Sequence, residues 1–151
     1  MARMTAPAIS RRTFIAGLAA LPCVGAARAG DTLTFDELYG KVSVLGLAFS
    51  DKVKALKDKT VSMRGFMAPP LKAEAKFFVL TEIPMSLCPF CSSDADWPSN
   101  IVVVYIDEKT TFVPPSKLIE VTGTLEVGSW TDPETGFVSL LRLVHSSFET
   151  V

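Results

Sequence analysis

Histidine is almost missing from this 151-residue chain, cysteine occurs only three times, and no excess of basic residues marks it. With His145 as the single histidine, spacing supports no nucleophile–histidine–acid set. No glycine-rich run has the spacing of a phosphate-binding loop. Lys and Arg number 15 against 16 Asp and Glu, so the formal net charge of −1 offers no footprint for nucleic acid. There is no internal repeat and no low-complexity tract. Beyond the N-terminus no apolar run is long enough to cross a bilayer as a helix. What is abundant is hydrophobic residues, at 48%, enough to build a core in a chain whose length suits one domain.

The charge is unevenly distributed. Residues 1–29 hold four arginines and no acid, so the remainder carries 11 basic and 16 acidic residues, a net of −5. Arg11 and Arg12 stand directly before Thr13-Phe14-Ile15, the start of an Ala-, Gly- and Leu-rich stretch to Ala27 that is too short to span a membrane. Ala27 and Ala29 then put small residues on the two positions a signal peptidase reads before Gly30. The pattern is that of a twin-arginine signal peptide cut after Ala29. Residues 30–151 are then expected to form one periplasmic domain, with the twin-arginine translocase as export partner and no stable membrane insertion. An uncut N-terminal anchor is the competing reading. Lipidation at Cys23 is set aside because Pro22 adjoins it.

Strand signals dominate the mature part. Thr34 to Tyr39 begins with a capping threonine and acids in its first turn, which predicts a short N-terminal helix. Lys41 to Phe49 is ambiguous, and the lysine-rich Asp51 to Lys59 reads as a solvated turn of helix or a loop. From Thr60, Val61, Met63, Gly65 and Met67 alternate with polar or aromatic neighbours until Pro69-Pro70 stops the run. Lys76 to Thr81 is a second strand, and Ile101 to Ile106 is apolar on both faces. Ile119, Val121, Gly123, Leu125 and Val127 alternate with polar residues, and a turn over Gly128–Gly136 leads into a last strand from Phe137 to Phe148. Such a series predicts a mainly β protein, a small five-stranded OB-like barrel, with a small β-sandwich as the alternative. Gly65 and Gly123 mark sharp bends or close backbone approaches. The barrel does not imply nucleic acid as a ligand, because fold does not fix function.

Chemistry concentrates between the second and third strands, in the segment Pro84 to Pro98, which contains Cys88-Pro89-Phe90-Cys91. Three readings compete. A redox dithiol fits the spacing, but Pro98 forbids a long following helix, and Asp94 and Asp96 would raise a thiol pKa rather than lower it. A soft-metal site for zinc or Cu(I) fits two thiolates, with His145 as third ligand and Met85, Asp94 and Asp96 as weaker candidates. On the last strand His145 shares a face with Leu141 and Leu143, opposite Arg142, and so is expected to point inward or towards a barrel end. The bland alternative for His145 is a hydrogen-bonded core residue. A structural disulfide between Cys88 and Cys91 suits an oxidising compartment, although so short a loop gains little from cross-linking.

The order of Phe35-Asp-Glu-Leu38, Lys59-Thr-Val-Ser-Met-Arg-Gly65-Phe-Met-Ala-Pro-Pro70, Phe77-Phe-Val-Leu80, the cysteine segment ending in Pro98-Ser-Asn100, and Val121-Thr-Gly-Thr124 resembles a family of small exported bacterial proteins classed as a domain of unknown function. The likeness covers most of residues 33–149. Its members are often encoded beside ABC-type transporters, some in zinc-responsive clusters. Their loop runs cysteine, histidine and a proline run. Here Cys88 matches the cysteine and Cys91 stands as a soft ligand where the histidine would be. The resemblance implies a non-enzymatic accessory or binding protein handling zinc or copper with an ABC-type transporter component. A thiol–disulfide redox protein and an interaction protein with a loop disulfide are the alternatives.

Overall fold

A computed structural model describes residues 30–40, 47–69, 76–85, 97–107 and 112–151. Five strands carry the fold: β2 (Thr60–Met67), β3 (Phe77–Thr81), β4 (Ile101–Ile106), β5 (Leu118–Thr131) and β6 (Val138–Thr150). They pair in the order β2-β3-β4-β6-β5, and β5 returns to pair with β2, which closes the ring. All seams are antiparallel except β4–β6. The expected five-stranded OB-like barrel is present, with one addition: the short β1 (Asp31–Thr32) pairs parallel along one edge of β2. Among the described residues no helix is long and apolar enough to cross a membrane.

Alternation explains the interior. Val61 and Met63 of β2 and Ile119 and Val121 of β5 are buried across the longest antiparallel seam of β2, with Met67 and Leu125 buried just beyond it. On the outer side, Ser62 and Thr122 share a hydrogen bond of 3.0 Å and Arg64 pairs with Glu120 at 2.7 Å. Both interior glycines sit where expected, at close approaches. A Cβ on Gly65 would lie 2.7 Å from the carbonyl oxygen of Thr81 and 2.9 Å from the Leu80 side chain. A Cβ on Gly123 would overlap the hydroxyl of Ser146 and stand 3.0 Å from the carbonyl oxygen of Val144.

Two elements at the N-terminal side differ in detail from expectation. The short helix is a single 3-10 turn, Phe35–Glu37, which buries Phe35; the Glu37 carboxylate accepts the Thr34 backbone N–H at 3.0 Å. Asp51–Leu56 is a helix, α1, and not merely a solvated turn. Its lysines face outward, whereas Val53 and Leu56, three apart on one side, are buried. The Ser50 hydroxyl caps it by accepting the Val53 N–H.

The β5–β6 hairpin is longer than the sequence suggested, because β5 runs on to Thr131 instead of turning at Gly128. Beyond Val127 the register shifts, Gly128 has φ +122°, and the ribbon bends there. Its tip then lies on the outer side of β3 and β4, with Phe137 against Phe77 at 5.3 Å and Trp130 edge-on to Tyr105 at 5.5 Å between ring centres.

Candidate functional site

Cys88 and Cys91 lie outside the described residues, as do Asp94 and Asp96. What is described is the base from which their segment leaves the barrel. The Glu82 N–H donates to the Asn100 carbonyl at 3.2 Å, which ties the two sides together just beyond the Thr81–Ile101 strand pair. The fully buried Thr81 hydroxyl has the Ile83 carbonyl at 2.7 Å and the Phe66 carbonyl at 3.2 Å, and it can donate to either. On the return side Trp97 is buried, and its indole N–H donates to the Tyr39 hydroxyl at 2.7 Å. Tyr39 stacks on Phe49 at 5.6 Å. Burial pushes the Tyr39 phenol up to about 12, against the lowering effect of the Trp97 bond, so it stays a neutral hydroxyl. Met85, the weaker soft candidate, is half-buried at this base.

His145 does not point inward. Opposite Gly123, between the Thr122–Ser147 and Thr124–Val144 pairs, β6 carries one extra residue, and His145 adopts φ +50° there. That β-bulge reverses the facing of everything after it. Leu141 and Leu143 are inside before it, Ser146 is inside after it, and His145 is exposed. Its Nδ1 lies 3.2 Å from a carboxylate oxygen of Asp107, with side chains 76% and 68% exposed, so this is a solvated surface pair. The β4–β6 register places it near Ile106, five residue steps or about 17 Å along β4 from the base of the cysteine segment. Among the described residues no group of three or more metal-ligating side chains forms.

The structure also assembles a polar and aromatic cluster at the β5–β6 hairpin. Arg142, on the outer face of β6, has a side chain only 7% exposed. Its Nε–H donates to Glu126 at 3.1 Å, and Nη1 reaches the carbonyls of Gly128 at 2.9 Å and Ser139 at 3.1 Å. The guanidinium carbon stands 5.3 Å from the Trp130 ring centre, over a half-exposed indole. Tyr105 donates to Asp132 at 3.0 Å; burial first, then that bond to a carboxylate, raises its phenol. Burial alone would raise Asp132, but bonds from Thr135, Tyr105 and the Glu134 N–H outweigh it and hold the carboxyl below its ordinary range. These groups satisfy one another and fix the hairpin. The signal in the sequence was Asp132-Pro133-Glu134-Thr135-Gly136, an Asx-turn pattern that predicts a self-bonded aspartate.

No family model matches the chain, and no curated protein matches it significantly. Among solved structures it is similar to a DUF3299 family protein from Pseudomonas aeruginosa PAO1, with a TM-score of 0.55 and 15% identity, covering 82% of this chain and 97% of that chain. At that identity the likeness is one of fold. DUF3299 denotes a domain of unknown function, so the resemblance to an uncharacterised family stands at that level.

Proposed function

We propose that this protein is a non-enzymatic binding protein of the periplasm, exported by the twin-arginine route, that handles zinc or Cu(I) through Cys88 and Cys91 and works with an ABC-type transporter component. The observation that supports the reading most is the anchored base of the cysteine segment. The Glu82–Asn100 and Trp97–Tyr39 bonds tie both of its ends to a closed barrel whose strands are packed with side chains. A rigid scaffold carrying one chemically distinctive segment is how binding residues are commonly displayed. Two thiolates two residues apart can bind one soft ion. His145, outward and paired with Asp107, is left out of the proposed ligand set.

The test is titration of the reduced protein with Zn(II) and with Cu(I), read by native mass. One ion per chain, lost in the Cys88→Ser/Cys91→Ser variant, is the expected result. Absence of stoichiometric uptake, or uptake retained by that variant, overturns the metal role. Insulin reduction by the same protein would assign the pair to thiol–disulfide exchange instead. An oxidised pair in protein taken from the periplasm, replaceable without loss of function, would make it a structural cross-link.

A further inference from the structure

The outer side of the second and third strands of an OB barrel, flanked by the loops at its ends, is where such barrels commonly take their ligands. In this ring those strands are β3 and β4, and their outer side is not open. The tip of the β5–β6 hairpin lies on it, with Phe137 against Phe77, Trp130 against Tyr105, Asp132 bonded to the Tyr105 hydroxyl, and Glu134 paired with Lys76 at 3.0 Å. We propose that residues 128–139 are a displaceable strap, which fills the ligand face of the barrel with its own aromatic side chains and opens as a unit to expose Phe77 and Tyr105.

Three features of the ribbon support this reading, independently of the metal proposal. The root of the strap is a bend, where β5 loses register after Val127 and Gly128 adopts φ +122° with open space where a Cβ would lie. β5 leaves its β2 partner at Thr124, so from Gly128 to Thr131 it is paired only with β6. Its closures combine the buried Phe77–Phe137 ring pair with polar bonds at the root and the tip. At the root, the Arg142 guanidinium bridges Gly128 and Ser139, one on each strand; at the tip, Asp132 holds Tyr105. A ribbon that lies beyond a bend and has one strand partner can open at a lower free energy than the closed ring of strands.

Hydrogen exchange of the intact protein, followed by mass at increasing low denaturant, tests the strap. Amides of residues 129–138 should exchange through an opening with a denaturant slope well below that of global unfolding, while the β2–β5 seam exchanges only with global unfolding. Asp132→Ala, which removes the tip closure, should speed strap exchange about tenfold and leave the seam little changed. Tyr105→Phe, which deletes only the hydroxyl, should give a smaller rise in the same amides and serves if the first variant fails to fold. Arg64→Ala, which breaks a surface pair on β2, should leave the strap unchanged. Strap amides that share the exchange behaviour of the seam in every variant would overturn the proposal. So would acceleration by equal factors in strap and seam. Metal titration of the tip variants distinguishes the two proposals, because strap opening should leave Cys88 and Cys91 uptake unaltered.

Discussion

Gly123 and Ser146 meet inside the barrel, and their contact gives a prediction whose sign and size follow from the geometry. An added Cβ on Gly123 would overlap the Ser146 hydroxyl and would also stand 3.0 Å from the Val144 carbonyl oxygen and 3.1 Å from the Ser146 Cβ. The backbone oxygen cannot rotate away, so β6 must move at its bulge. Overpacking of that kind costs about 1–3 kcal/mol, more where backbone is involved, while replacing glycine in a strand returns about 0.5–1 kcal/mol. Gly123→Ala should therefore destabilise by about 2 kcal/mol, lowering Tm by about 8 °C for a domain near this size. Ser146 acts in the opposite direction. Its hydroxyl is buried and has no hydrogen-bond partner among the described residues. Ser146→Ala removes that unmet polar group and should stabilise by about 1 kcal/mol. The double variant loses the hydroxyl overlap but keeps the Val144 contact, so it should be about 1 kcal/mol more stable than the sum of the single changes. Urea unfolding with linear extrapolation measures all four proteins. Additivity within about 0.3 kcal/mol, or a Gly123→Ala variant as stable as the parent, would refute the packing argument.

Arg142→Lys should cost about 2–3 kcal/mol in the same assay, because a single ammonium cannot serve Glu126, Gly128 and Ser139 together. Full stability in that variant would show the guanidinium bonds to be dispensable. Asp132 has a folded pKa below its ordinary 3.8, so its contribution is complete above that value and lost as pH falls through the folded value. Asp132→Asn should accordingly flatten the acid limb of the unfolding midpoint between about pH 5 and pH 2; an unchanged limb would remove Asp132 from the account. His145→Asn should leave stability within about 0.5 kcal/mol, because asparagine accepts a left-handed backbone, whereas His145→Val should cost about 1–2 kcal/mol. Zinc uptake lost in the asparagine variant would restore His145 to the ligand set.

The strand series, the barrel and the two inward glycines were legible in the sequence because each rests on a short-range period. Val61, Met63, Gly65 and Met67, and Ile119 through Leu125, keep strict alternation, and their seam is the one that closes the ring. α1 was only half legible, since the lysines that dominate Asp51–Lys59 concealed the Val53–Leu56 pair that it buries. The reach of the hairpin was not legible, because a bend at Gly128 can end a strand or redirect it, and only the long-range contacts with Phe77 and Tyr105 decide.

His145 shows how a local period fails and where the correction was written. Placing it beside Leu141 and Leu143 assumes that alternation continues unbroken along β6. Phe148 is also apolar, however, and an odd number of steps from Leu143 to Phe148 cannot keep both on one face. Phe148 packs on Phe78, whose strand partner Val104 is itself paired with Leu143, so both ends of β6 do face the same interior. One residue between them must therefore be out of step. The partner strand offers Gly123 at that level, where the absence of a Cβ lets β6 bulge inward, and His145 takes the positive φ that the extra residue requires. The phase change between two apolar residues, read together with a glycine on the facing strand, thus turns the lone histidine outward. That leaves the two cysteines as the residues on which the proposed binding chemistry must be tested.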